Sequence, residues 1–170
     1  DERTINLVEE GMELALRIGT LESSSLMARR IGTVRRYLVA TPQYLRERGT
    51  PRNPDELKEH HCIAYARLAP ANQWTFESDD GRHVVSVSGA VMVDDADAMK
   101  EAVLQHLGIA IVPAWCAAES IRSGQMKTLL PDYTVSSLPL HVVYPETHWM
   151  SARARSFLDF IVARAERFSG

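Results

Sequence analysis

From Val93 to Pro113 the chain reads VDDADAMKEAVLQHLGIAIVP, and its hydrophobic rhythm changes once. Apolar residues first recur at helical spacing; then IAIVP runs apolar without alternation. The pattern predicts a helix over about 96–107, Gly108 as its C-terminal cap, and a buried strand ending at Pro113. The same grammar opens the chain: Ile5, Leu7 and Val8 fall at roughly helical spacing with Gly11 as a stop, and MELALRIG reads as a strand ending at Gly19. Residues 22–25 read as loop, and LMARRIGTVRRYLVAT as one or two strands. Pro42 starts the helix PQYLRERG, which Gly49 ends. Pro54 starts a short helix over 55–59, and CIAYA is a strand. QWTFES and RHVVSVSG flank DDG, a hairpin turn whose glycine supplies positive φ, and GAVMV is a further strand. Then come the helix AWCAAESIRSG, a short strand MKTLLP and a strand LPLHVVY. An amphipathic helix closes the chain, with Phe157, Leu158, Phe160, Ile161 and Ala165 as its core stripe and Arg153, Arg155, Arg164 and Arg167 largely elsewhere. Helices alternating with short apolar strands predict α/β layers with mixed, mostly parallel sheets.

A length of 170 residues suits one domain or two small lobes, and 45% hydrophobic with 24% charged residues is an ordinary globular balance. No apolar run approaches the roughly 20 residues of a membrane helix. The acidic start lacks the basic and apolar regions of a signal peptide, and a first residue of Asp is expected of a piece of something longer. A formal charge of −3, with only local clusters such as ARRIGTVRR, argues against DNA binding by these residues themselves. Two distant cysteines without a CxxC are expected to be unpaired thiols. His60, His61 and Cys62 invite a metal reading, but adjacent residues point apart, so the end of a helix and the start of a strand is preferred. Neither a metal nor a cofactor is expected.

Catalytic signatures such as GxSxG, a P-loop, GxGxxG and HExxH are lacking, and no spacing offers a nucleophile–base pair, so the chain is not expected to be an enzyme. Asp94, Asp95 and Asp97 resemble a carboxylate cluster, yet Asp at a helix start is the expected cap. Ligands in open α/β sheets sit outside the carboxyl ends of strands. Corners of that kind fall at ALRIGTL, LVATPQY and VDDADA, with IAIVP adding a strand end. Backbone N–H groups over 42–44 and 95–97 can hold a carboxylate or phosphate there; the corners read equally well as ordinary turns.

Taken in order, LVEEGMELALRIG, LMARRIG, LVATPQYL, GTPRNPDELKEHHCI, VMVDDADAMKEAVLQHLGIAIVPAW and LHVVYP resemble the effector-binding domain of LysR-type transcriptional regulators, over essentially the whole chain. The resemblance implies a two-lobed, periplasmic-binding-protein-like α/β fold of type 2, joined by two crossover strands. Lobe I would be residues 1–34 plus 139–170 and lobe II residues 35–138. An inducer would sit in the cleft, lined by Arg17, Ile18, Gly19 and Thr20, by Ala40, Thr41 and Pro42, by Asp94, Asp95 and Ala96, and by Ile111, Val112 and Pro113. Arg17 reads either as the cation for an anionic effector or as a salt-bridge partner on the strand edge. The implied partners are a small-molecule effector, further copies in a homodimer or tetramer, and DNA through a winged helix-turn-helix that this chain lacks. No membrane partner is implied, and the expected compartment is the cytoplasm. The first strand–helix–strand of lobe I is also missing by comparison, so a chain of this extent is expected to bind inducer poorly and to self-associate through an open edge. A stand-alone solute-binding protein is the competing reading.

Overall fold

In the computed structural model the described residues are 13–21, 26–68, 70–89, 91–145 and 150–164. The helix expected at Ile5 to Gly11, the loop over 22–25, and Ala165 and Arg167 lie outside them. In chain order the elements are β1 (Ala15–Ile18), β2 (Leu26–Val34), β3 (Arg36–Ala40), α1 (Pro42–Arg48), a 3-10 turn (Pro54–Glu59), β4 (Cys62–Tyr65), β5 (Gln73–Ser78), β6 (Gly81–Ser86), β7 (Val91–Val93), α2 (Ala96–Leu104), β8 (Ile109–Pro113), α3 (Ala114–Arg122), β9 (Lys127–Thr128), β10 (Thr134–Val135), β11 (Leu138–Pro145) and α4 (Ala152–Arg164). They form two compact units, one of residues 1–34 with 137–170, the other of residues 35–136.

In the first unit β11 is the middle strand of the sheet β1-β11-β2 and is antiparallel to both neighbours. Ile31, Val34, Leu140 and Val142 bury one face of this sheet against Ile161 of α4. The closing helix is amphipathic, but its stripe is rotated from the expected one. Ala154 and Ile161 are buried and Leu158 and Val162 are half-buried, whereas Phe157 and Phe160 are exposed. The exposed Phe160 ring carries the Arg164 guanidinium 3.7 Å from its centroid, a cation–π contact along the same helix.

The second unit holds a five-stranded sheet, β7-β4-β8-β3-β9, and a three-stranded one, β10-β5-β6. Each face of the larger sheet has its own core. Leu38, Ile109 and Ile111 pack with Trp74, Phe76 and Val85 of the smaller sheet. Val39, Ala110 and Val112 pack on the other side with Met99 and Val103 of α2 and Ala117 of α3. The apolar run IAIVP lacks alternation because both of its faces are covered.

The mixed sheets are observed, but the parallel majority is not. Only β4 pairs in parallel, with β7 and β8; every other pairing among the described residues is antiparallel. The β7–α2–β8 crossover leaves β7 and β8 parallel on either side of β4, as its helix allows. β3 arrives from β2 through Arg35 alone and runs against β8. The hairpin β5–β6 closes through Asp79 and Asp80, with Gly81 at φ 116. The short β10, unsigned by any hydrophobic run, extends that hairpin by pairing with β5.

The end of α2 also differs from the expectation. The helix stops at Leu104, and His106, not Gly108, takes the left-handed conformation with φ 63. The His106 N–H donates to Val103 O at 2.8 Å and the Leu107 N–H to Ala102 O at 3.2 Å, the paired bonds of a Schellman ending. Gly108 is needed for close approach: a Cβ there would stand 2.3 Å from His61 O. Gly89 presses on the same strand entry, where a Cβ would meet Cys62 O at 1.7 Å.

Candidate functional site

Strand direction sorts the expected ligand residues of the second unit onto two opposite edges of the larger sheet. Arg36 is in register with Pro113, and Val39 with Ala110. Tyr65 is in register with Val93 on the parallel strand β7. The carboxyl ends of β4, β7 and β8 therefore share one edge with the beginning of β3. Asp94, Asp95 and Ala96 gather there with Pro113. Thr41 and Pro42 lie past the other end of β3, about 13 Å away along the strand. The structure thus does not bring Ala40–Pro42 together with the other two segments. The reason is β3's reversed direction, which the alternation of strands and helices does not reveal.

Burial removes further candidates. Ala40 and Val112 are fully buried within the two cores, and Ile111 is 8% exposed. Their side chains hold the sheet together rather than line a ligand surface. In the first unit, Arg17 is half-buried on β1, Ile18 and Thr20 are exposed, and Gly19 is buried with φ 105. Arg17 is in register with His141, which is also in register with Arg30. The His141 Nδ1 is buried without a hydrogen-bond partner.

Two of the N–H groups offered as anion donors, those of Tyr44 and Asp97, are already taken. The Asp95 carboxylate accepts from the Asp97 and Ala98 N–H groups, both at 2.9 Å, and so caps α2. The Thr41 hydroxyl oxygen accepts from the Tyr44 N–H at 3.3 Å. Asp94 instead holds Arg67: its carbonyl accepts from Nε at 2.8 Å and its carboxylate stands 3.8 Å from Nη2. The acidic cluster is a cap and a loop tie. Among the described residues no group of three or more His, Cys, Asp or Glu is placed to hold a metal. Both thiols are unpaired and buried. Desolvation lifts Cys62 to about 12 and is also the main cause of the raised pKa of Cys116.

Two features escaped sequence reasoning. One is a groove of about 470 Å³ at the Thr41 edge, lined by residues of α1 and of the α2 ending, Arg46, Glu101 and His106 among them. Thr41 Oγ1 and His106 Nδ1 lie 2.7 Å apart in its wall. The other is Arg36, half-buried at the carboxyl-end edge, with Nε and Nη2 both donating to Ser136 O. Nothing in the tract VRRY separates Arg36 from its exposed neighbour Arg35; only the alternation of an actual strand does so.

A family model described as the LysR substrate binding domain matches residues 1–166. The chain belongs to that family. An uncharacterized HTH-type transcriptional regulator of Haemophilus influenzae is 32% identical over 145 residues, covering 85% of this chain and 50% of the relative. The regulatory domain of CrgA, a LysR-type transcriptional regulator from Neisseria meningitidis, superposes with a TM-score of 0.82 at 29% identity, over 97% of this chain and 81% of that one. The full-length structure of AphB, the Vibrio cholerae virulence activator, gives a TM-score of 0.79 at 25% identity, over 97% of this chain and 56% of AphB. This LysR domain spans about half the length of the curated relatives it matches. Its mixed α/β architecture is that of its structural neighbours, the LysR regulatory domains. No helix among its described residues is long and apolar enough to cross a membrane.

Proposed function

We propose that this LysR domain is the effector-sensing part of a transcriptional regulator. It would bind a small molecule and relay the event to a DNA-binding domain elsewhere in the protein. The observation that carries the reading is the family match over residues 1–166. The matched relatives are described as transcriptional regulators, which favours a sensor over a solute-binding protein and over an enzyme. Such a regulator would act in the cytoplasm, on DNA, as an oligomer.

Within the second unit the effector would meet the carboxyl-end edge, around Asp94–Ala96 and Pro113. That is where α/β sheets place ligands. An effector acts only through a difference in affinity between two states of the protein, so binding and DNA affinity must change together. A thermal-shift screen of small metabolites on the full-length protein, followed by promoter-binding titrations with each hit, tests this. A hit should change promoter affinity or promoter bending. Hits that leave both unchanged, or turnover of a hit, would contradict the reading.

A further inference from the structure

Arg36 carries a charge with no acidic partner among the described residues. The two ion pairs there are Lys58–Asp55 and Arg67–Asp94, both exposed. Arg36 has only the Ser136 carbonyl, which accepts from both Nε and Nη2. One neutral oxygen therefore takes two donors of a five-donor fork. Desolvation lowers its pKa to about 10, so the group is still a cation at neutral pH. A part-buried cation facing a neutral partner is costly to hold, and a carboxylate accepting two parallel N–H bonds removes much of that cost.

The position points the same way. Arg36 stands opposite Pro113, at the edge where β4, β7 and β8 end. By alternation it shares a face with Leu38 and Ala40, whose side chains belong to the core under the smaller sheet. Its head group is thus held at the rim of that core. Apolar surface is available nearby in sequence. Tyr37, 36% exposed, follows it on the opposite face of β3, and Trp115 is 53% exposed two residues beyond Pro113.

We propose that Arg36 anchors the carboxylate of an organic-acid effector at this edge. The proposal rests on the effector-sensing reading above and narrows its ligand class. The competing role for Arg36 is a pin that holds residue 136 beside the start of β3. A pin needs the two hydrogen bonds; an anchor also needs the charge to respond to an added anion.

The experiment compares unfolding midpoints of the full-length protein in sodium chloride, in sodium sulfate and in a panel of small aliphatic and aromatic carboxylates, all at one ionic strength. The proteins are the wild type, Arg36→Met, Arg36→Lys and the exposed control Arg82→Met. At about ten times its Kd a specific carboxylate should raise the wild-type and Arg82→Met midpoints by about 3–5 °C above chloride. Arg36→Met should lose that increment, and Arg36→Lys should keep part of it. If Arg36→Met and Arg36→Lys both unfold earlier in every salt but keep the full increment, Arg36 is a pin and the proposal is wrong. An increment from sulfate alone, or no carboxylate increment in the wild type, also overturns it. A neutral compound that alters promoter binding would sink this proposal while leaving the effector-sensing reading intact.

Discussion

The two edges of the larger sheet in residues 35–136 are built from similar parts and end in different states. At the Thr41 edge the buried polar side chains bond their neighbours. The Thr41 hydroxyl accepts from Tyr44 N–H and meets His106, and the Tyr44 hydroxyl accepts from the His61 N–H at 3.0 Å while facing His60 Nδ1 at 3.1 Å. A left-handed His106 and two tightly approached glycines are held in place there. At the Pro113 edge Asp95 caps α2, α3 begins without a side-chain cap, and Arg36 keeps a cation beside a lone carbonyl. At one edge the buried hydroxyls of Thr41 and Tyr44 are committed to the fold. The other retains a charge that the fold leaves unmatched, as expected of a surface that receives a ligand.

Breaking the Thr41 edge should cost stability, and the largest loss is expected where backbone meets backbone. Gly108→Ala drives a methyl into the His61 carbonyl, and Gly89→Ala does the same at Cys62. Each should cost about 3 kcal/mol or more in denaturant unfolding. Losses below about 0.5 kcal/mol would show that the entry to β4 can yield. Thr41→Val removes the cap of α1 and the contact with His106, and should cost about 2 kcal/mol in the same measurement. The carboxyl-end edge should be less sensitive. Asp95→Ala removes the α2 cap for about 1 kcal/mol, whereas Asp94→Ala should fall within about 0.5 kcal/mol because its ion pair is exposed.

The smallest expected effect is a pH response at the Thr41 edge. The pKa of His60 lies below the ordinary 6.5, first because burial disfavours its charged form, with Glu56 and Glu59 pulling the other way. The unfolded chain then takes up the proton first as the pH falls. The stability tied to neutral His60 is whole above 6.5 and is lost as the pH drops through the lower folded-state value. His60→Gln should flatten the dependence of the unfolding midpoint below pH 6.5. A wild-type slope that survives the substitution would assign the effect to another group.

Much of this fold is legible where local chemistry dictates local geometry. Pro42 and Gly49 bound α1, Asp95 caps α2, and DDG turns the hairpin. Each of these signals acts within four residues. What fails is information set by distant partners. Gly108 looks like a cap because it follows a helix, but its role comes from His61 across the sheet. Phe157 and Phe160 look like core by spacing, but the stripe's angle is set by what α4 packs against. The split of the expected site residues between two edges has the same origin. LVATPQY and VDDADA are equivalent as strand–helix corners. Only the antiparallel pairing of β3 with β8 puts them at opposite edges. Arg36 carries no mark in the sequence that sets it apart from Arg17 or Arg35, because the absence of an acidic partner among the described residues is set by distant residues.

The central claim is that the effector meets the edge of Arg36 and Pro113 and not the groove at Thr41. Amide chemical-shift mapping of a screened carboxylate on the full-length protein tests this directly. The shifts should centre on Arg36, Tyr37, Asp95 and Ala114, and should vanish in Arg36→Met. Shifts confined to Gln43–Arg46 and Glu101–His106 would contradict the claim and move the site to the opposite edge.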